Sequence, residues 1–317
     1  MLKFVYVLIS SDSDYYAEQA ALSMYSLLLH NPGSHIVLVS DEDTLKSLTD
    51  GRSLIKDYVS EYITVNPPVG FSPKERSRFL KTSIRQNVKG DFLFLDSDTI
   101  ITGDLTDCHK SDCEIGAVLD CHKTADGNTQ KFSYVKETKI ALEDYNLYFN
   151  TGVLFVRDTD NAARFFAEWH RIWNDDRTKN STSIDQPAFA QADTACNHLV
   201  REIDGRYNCQ IVTPGAKKYF FDPLIIHYMS DLPYFSSFPL KNKKLLATVR
   251  ENGISAEIEN IVRNPQLAFL ENSFILGGEE LEIYQSPVMI LGRKLARDYA
   301  WTNKVAKFIY RLFGFKI

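Results

Sequence analysis

No apolar run in this sequence approaches the ~20 residues of a bilayer-spanning helix, so a helical integral membrane protein is not expected. Cysteine is sparse. The five in 317 residues (Cys108, Cys113, Cys121, Cys196 and Cys209) are an odd number without a dense framework. That argues against a disulfide-stapled secreted fold and for a reducing compartment, and a cytoplasmic location is expected. Cys108, His109, Cys113, Cys121 and His122 cluster in sequence, but their spacings are not those of a zinc ribbon or finger. Buried free thiols are the expected state. The 15 glycines and 11 prolines form no collagenous or low-complexity stretch, and there is no internal repeat. A cleavage-like site is also missing after the first apolar run, where Ser10-Ser11-Asp12-Ser13-Asp14 follows at once. The N-terminus therefore reads as a first strand and not as a signal peptide.

Apolar residues make up 44% and charged residues 24%, ordinary for a globular protein with a sizeable core. The net charge of −5 argues against a general nucleic-acid binder, but it is unevenly placed. Residues 288–317 carry seven basic side chains and one acid, a net +6 that leaves −11 on the rest. In that tail Trp301, Val305, Phe308, Ile309 and Leu312 recur at helical spacing. Arg293, Arg297, Lys304, Lys307 and Arg311 fall largely on the other side. A basic amphipathic helix of this kind reads as a membrane-surface element, which predicts peripheral attachment to the inner membrane face. Terminal packing on the rest of the chain is the alternative.

Apolar runs at Phe4–Ile9, Ile36–Val39, Tyr62–Val65 and Phe92–Leu95 read as strands. Helical periodicity lies between them at Tyr15–His30, Asp41–Leu48 and Arg76–Asn87. This alternation predicts an α/β fold with a mostly parallel sheet flanked by helices. Ligands on such sheets sit beyond the carboxyl ends of the strands, where Asp12 and Asp96 both fall. Further strands are expected at Ile115–Leu119, Gly152–Val156 and Leu224–Tyr228, with a helix at Ala162–Trp173. The expected division is a catalytic domain over 1–240, a helical extension over 241–287 and the basic helix over 288–317.

The sharpest chemical signal is Phe92-Leu93-Phe94-Leu95-Asp96-Ser97-Asp98-Thr99. An apolar strand delivers two carboxylates, two residues apart, and continued extended geometry would point both to one side. Converging carboxylates repel unless a cation lies between them, and a hard divalent ion would leave positions open for diphosphate oxygens. A solvated strand-end turn is the plainer alternative.

Five blocks in order carry a resemblance over about residues 1–235. They are Ser10-Ser11-Asp12 with Tyr15-Tyr16, the helix around Arg78 and Lys81, Asp96-Ser97-Asp98, Tyr148-Phe149-Asn150-Thr151-Gly152-Val153-Leu154, and Asp185-Gln186-Pro187 followed by a strand ending at His227. The chain resembles the glycogenin and bacterial lipopolysaccharide galactosyltransferase family, retaining glycosyltransferases of the GT-A fold (glycosyltransferase family 8-like). That resemblance implies a metal-dependent hexosyltransferase that uses a nucleotide-diphosphate sugar, a UDP-sugar by analogy, and a glycan or lipid-linked acceptor. It places Asp12 near the nucleoside, with Tyr15 or Tyr16 stacked on the base, and Arg78 and Lys81 towards the sugar or diphosphate. Asp96, Asp98 and His227 are implied as ligands of Mn²⁺ or Mg²⁺, the mixed oxygen and nitrogen set favouring Mn²⁺. Ser97 lies with the donor-binding residues. Asn150, Thr151 and Gly152 are implied in the sugar pocket, Asp120 at sugar or acceptor hydroxyls, and Asp185 and Gln186 beside the anomeric carbon. Pro187 also makes Asp185 a candidate helix N-cap.

One departure stands out. The resembled family follows its late histidine with a glycine and a lysine that helps hold the diphosphate. Here His227 runs into Tyr228-Met229-Ser230-Asp231-Leu232-Pro233, which leaves Lys241, Lys243 and Lys244 as substitutes. Two rival functions follow from the sequence. A haloacid-dehalogenase-like phosphohydrolase would use Asp96 as nucleophile and Asp98 as acid/base, with Asn174-Asp175-Asp176 as its late acidic pair. A non-catalytic sugar-nucleotide-binding domain is the second.

Overall fold

The computed structural model describes residues 2–110, 112–123, 147–232, 238–266, 278–299 and 301–312. The first apolar run forms β1 (Lys3–Leu8), an interior strand of a seven-stranded sheet. With β2 (His35–Ser40), β3 (Glu61–Thr64), β4 (Phe92–Leu95), β6 (Ile115–Leu119), β7 (Phe149–Val156) and β8 (Val200–Glu202), the strand order is β3-β2-β1-β4-β7-β6-β8. β1 pairs in parallel with both β2 and β4, β2 with β3, and β6 with β8. β7 alone runs against its neighbours β4 and β6. The sheet is mostly parallel, as the alternation of strands and helices predicts.

The period-2 alternation of side chains divides the core between the two faces. On one face Val5, Val37, Phe92 and Phe94 pack with Phe165, Trp169 and Trp173 of helix α5 (Asp160–Asn180). On the other, Tyr6, Leu8, Leu93 and Leu95 pack with Ala17, Ala20, Met24 and Leu27 of α1 (Tyr16–His30). The remaining early helices are α2 (Glu42–Ser47), α3 (Pro73–Thr82) and α4 (Ile84–Asn87). The single helix expected over Arg76–Asn87 is thus two, joined at Ser83. Ser72 starts α3 with a reciprocal capping box to Glu75, and Pro73 sits in its first turn.

A second sheet of β5 (Thr99–Ile101), β9 (Cys209–Gln210) and β10 (Ile225–His227) is decisive for the site, in the order β5-β10-β9. β10 runs antiparallel to β5 with His227 opposite Thr99, and parallel to β9 with His227 opposite Gln210. This pairing carries His227 to the loop between β4 and β5 across more than a hundred residues of sequence.

Helices α7 (Lys243–Asn252) and α8 (Ala256–Arg263) follow α6 (Gln186–Ala195). Residues 243–263 lie within the first compact unit, Met1–Phe269. Burial explains this: Leu246, Val249, Ile258 and Val262 share a core cluster with Leu22, Ile100, Ile226 and Tyr228. The second unit, Leu270–Ile317, contains α9 (Gly278–Gln285), α10 (Pro287–Asp298) and α11 (Trp301–Leu312). Ser286 caps α10 by accepting from the Met289 N–H. Val288, Ile290, Leu291, Trp301, Phe308 and Leu312 are exposed. Among the described residues no helix is long and apolar enough to cross a membrane.

Candidate active site at the end of the central strands

β4 ends at Leu95 because the chain turns there. The Asp96 N–H donates to the Gly152 carbonyl of β7 at 2.8 Å, and residues 97–98 form a turn before β5 begins. The two carboxylates therefore converge through a turn and not through continued strand alternation. Across the second sheet, the Tyr228 N–H donates to the Asp98 carbonyl at 3.1 Å, and His227 Nε2 lies 3.3 Å from Asp98 Oδ1. One ligand atom from each of Asp96, Asp98 and His227 lies within 4.8 Å of the others, and among the described residues no other such acidic or histidine group is found.

The electrostatics of the three groups differ. Burial pushes the Asp96 carboxyl above the usual carboxylate range, opposed by the Lys81 ammonium and reinforced by Asp98. Burial would raise Asp98 as well, but the His227 charge and hydrogen bond, with the Ser230 N–H and hydroxyl, hold it well below that range. Ser230 donates to Asp98 Oδ2 from its N–H at 2.7 Å and lies 3.1 Å away through Oγ. For His227 burial lowers the proton affinity, and Asp98 and Asp96 outweigh it and raise the imidazole above its ordinary value. Two carboxylates and an imidazole that crowd in this way suit a divalent cation with a mixed oxygen and nitrogen shell. The backbone is cut to fit as well: a Cβ on Gly152 would fall 2.3 Å from His227 Cε1.

These residues face a cleft of about 610 Å³. Of the residues singled out by sequence, Arg78, Lys81, Ser97, Asn150, Thr151 and Gly152 line it, as do Asp185 and Gln186 and the three acidic and imidazole groups. Asp185 stands at the N-cap position of α6, but its side chain makes no capping bond. Instead its carboxylate lies 2.9 Å from Arg78 Nε and 3.4 Å from Lys81 Nζ, and it accepts from the Thr151 hydroxyl at 3.2 Å. Burial works to raise it, yet the Lys81 and Arg78 charges lower it to about 2. Lys81 also reaches Asp96 Oδ1 at 3.2 Å, so one buried ammonium ties Asp96 to Asp185.

Three other residues lie elsewhere. Asp12 is exposed and its carboxylate pairs with Arg52 at 2.7 Å. Tyr15 packs inward with the Arg250 guanidinium 4.7 Å from its ring centroid, and its neighbour Tyr16 lines the cleft, donating to Asp231 at 3.1 Å. Asp120 is buried and does not line the cleft; it accepts from Asn150 Nδ2 at 3.1 Å. Nor do Lys241, Lys243 or Lys244 reach the cleft; Lys241 Nζ donates to the Met229 carbonyl at 3.1 Å and to that of Leu232. The sequence reading overlooked Asp14, Lys74, Ser77, Ser230 and Asp231, all of which line the cleft. Lys74 carried the one available signal, a cation in the first turn of a capped helix. The five cysteines are buried, and burial raises the Cys108 thiol to about 12.

The acidic pair of the phosphohydrolase alternative is far from this arrangement in kind. Asp175 sits mid-helix on α5, bridged to Arg171 and Lys179 at 3.2 Å each, and is absent from the cleft wall.

Comparison with known proteins identifies the family. The model of the family described as "Glycosyl transferase family 8" matches residues 7–232. No curated protein sequence gives a match. Among solved structures, galactosyltransferase LgtC in complex with donor and acceptor sugar analogues is 14% identical with a TM-score of 0.52, covering 82% of this chain and 99% of that one. The bifunctional glycosyltransferase WbbM, in its apo form, is 16% identical with a TM-score of 0.52, covering 83% of this chain and 51% of that one. At such identities the likeness shows the fold, which is GT-A. With the family model spanning well over half its length, the chain is a glycosyltransferase and belongs to glycosyl transferase family 8.

Proposed function

We propose that this chain transfers a hexose from a nucleotide-diphosphate sugar, a UDP-sugar by family analogy, to a glycan or lipid-linked acceptor, with a divalent metal and with retention. The observation that carries the reading is the convergence of Asp96, Asp98 and His227 within 4.8 Å at the wall of a cleft large enough for a sugar nucleotide. Asp96, Asp98 and His227 would hold the ion, Mn²⁺ in preference to Mg²⁺ because one ligand is an imidazole. A divalent ion there supplies fixed positive charge against the negative charge that develops on the leaving diphosphate.

The protein's own residues supply the rest. Transfer breaks the bond between the anomeric carbon and the diphosphate oxygen and forms one to an acceptor oxygen, which gives up its proton. The sugar carbon becomes electron-poor on the way, and a carboxylate with a proton affinity as low as that of Asp185 stays charged at neutral pH. Asp185 therefore suits electrostatic support of that carbon, and Gln186, on the cleft wall, supplies a polar oxygen beside it. Arg78 and Lys81 fix Asp185 and offer donors to the sugar or diphosphate. Thr151 and Gly152 shape the sugar pocket, with Asn150 behind them. Tyr16 and Asp14 take the nucleoside end.

The second unit suits attachment to the inner face of a membrane. Trp301, Val305, Phe308, Ile309 and Leu312 are exposed at helical spacing on α11, in a segment rich in lysine and arginine. Deletion from Ser286 should abolish co-sedimentation with anionic vesicles; retention by the shortened chain would refute that attachment.

The donor is tested by a thermal-shift screen of nucleotides and nucleotide sugars with and without Mn²⁺. A Mn²⁺-dependent rise in Tm with a uridine sugar is expected by mass action, followed by Mn²⁺-dependent donor hydrolysis. Stabilisation indifferent to Mn²⁺ would contradict the metal-dependent reading, and binding without hydrolysis or transfer would mark a binding domain.

A further inference from the structure

From His227 a chain of three further buried side chains, Asn208, Asn150 and Asp120, runs behind the cleft wall. His227 Nδ1 lies 3.0 Å from Asn208 Oδ1. Asn208 Nδ2 donates to Asn150 Oδ1 at 2.9 Å, and Asn150 Nδ2 donates to Asp120 Oδ1 at 3.1 Å. The Gly152 N–H also donates to Asn150 Oδ1, at 2.9 Å. Asn208 itself is fully buried at the end of a short 3₁₀ turn (Gly205–Asn208), one residue before β9, the strand that pairs with β10.

The hydrogen bonds of this chain run in one direction, and that direction is fixed by groups whose sense is not in question. A backbone N–H only donates, so the Asn150 atom facing Gly152 is its oxygen. Its NH₂ must then face Asp120, a carboxylate that accepts. The same oxygen of Asn150 receives Asn208, which must present its own NH₂ and turn its oxygen to His227. The ring nitrogen beside that oxygen, Nδ1, must carry a proton. With Nδ1 holding its proton against Asn208, Nε2, the nitrogen that faces Asp98 and the cleft, is the one that can turn a lone pair to a cation; with no cation between them it holds a proton towards the Asp98 carboxylate.

We propose that Asn208 is a positioning residue: with Asn150 and Asp120 behind it, it fixes the tautomer and the ring plane of His227 so that Nε2 is presented to a divalent cation. Partners of this kind hold a metal-binding imidazole in orientation and raise its basicity, and their loss costs metal affinity. The inference deepens the proposed function and rests on the cleft being a metal site. It also gives Asp120 and Asn150 a task that needs no contact with a sugar.

Two measurements on the full chain test it. The first is Mn²⁺ binding, followed by electron paramagnetic resonance, in wild type, Asn208→Ala, His227→Ala and the double variant. Asn208→Ala should weaken Mn²⁺ binding by roughly 10- to 100-fold, and should add nothing in the His227→Ala background, because Asn208 acts only through the ring. Binding within twofold of wild type, or an equal loss in both backgrounds, would overturn the proposal. The second is the ¹⁵N spectrum of the His227 ring in the metal-free wild-type protein at neutral pH. It should show a proton on Nδ1, held by Asn208, and an Nδ1 without a proton would overturn the proposal even if Asn208→Ala does not fold. A wild-type chain that takes up no Mn²⁺ would defeat the proposed function; the tautomer would still decide the role of Asn208.

Discussion

The imidazole of His227 packs directly on the backbone of Gly152, so closely that a Cβ there would stand 2.3 Å from Cε1 and 2.8 Å from Nδ1. The contact joins β7 of the main sheet to β10 of the second, and it leaves the ring one place to lie.

Gly152→Ala is therefore expected to push the ring off its position. Overpacking of this kind costs about 1–3 kcal/mol, to be read from a shift in the urea midpoint. Mn²⁺ affinity and transfer should fall together by at least about tenfold, since loss of orientation weakens a metal ligand by roughly 10- to 100-fold. Wild-type Mn²⁺ affinity in this variant would show that the ring is not a ligand.

Asp185 gives a pH prediction. Its carboxyl is lowered to about 2, with burial raising it and Lys81 and Arg78 overcoming that, against about 3.9 in an unfolded chain. A group lowered in the folded state contributes stability that is fully present above its unfolded value and disappears as pH falls through the folded one. The contribution is on the order of 2 kcal/mol, lost between about pH 4 and pH 2. Asp185→Asn should flatten stability against pH across that window in denaturant titrations; an unchanged slope would contradict the pairing.

The cations of the cleft are mostly committed. Arg78 and Lys81 are paired with Asp185, and Lys81 also with Asp96. Among the described residues Lys74 lines the cleft without making an ion pair, and the glycine and lysine expected after His227 are missing. Lys74→Ala is expected to raise the KM for the donor by about tenfold with little change in kcat, because a hydrogen bond to a charged group contributes about 1.5–3 kcal/mol. Unchanged donor kinetics would remove Lys74 from the diphosphate.

Arg250, on α7, holds the loop between β1 and α1. Its guanidinium donates to the Asp12 carbonyl at 2.8 Å, to Glu18 Oε1 at 2.7 Å and to the Asp14 carbonyl, and it stacks on Tyr15. A lysine cannot reproduce that fork. Both Arg250→Ala and Arg250→Lys should lower stability by about 1–3 kcal/mol, and both should weaken nucleotide binding, because Asp14 lies on the held loop and Tyr16 follows it at the first position of α1. Isothermal titration with the nucleotide checks this, and full affinity in either variant would disconnect the clamp from the site.

Much of this site is legible in the residues. Phe92–Leu95 is apolar throughout because β4 is buried on both faces, and a run that dry followed by two carboxylates marks a strand end facing a ligand. The antiparallel course of β7 is not legible, since a fully buried strand shows no alternation to reveal its direction. β5 and β9 are too short for any period, and they are the strands that bring His227 to Asp98. Tyr15 and Tyr16 are indistinguishable in sequence, and a one-residue step at the start of α1 decides which ring meets the cleft. Asn208 and Ser230 are single polar residues in turns, whose partners lie 19 and 132 positions away. Only tertiary pairing gives them meaning.

Diffraction recorded at the manganese absorption edge, from crystals grown with Mn²⁺ and UDP, bears most directly on the account. An anomalous peak bonded to carboxylate oxygens of Asp96 and Asp98 and to Nε2 of His227 is expected. Density for the nucleotide with no such peak among these three side chains would contradict it.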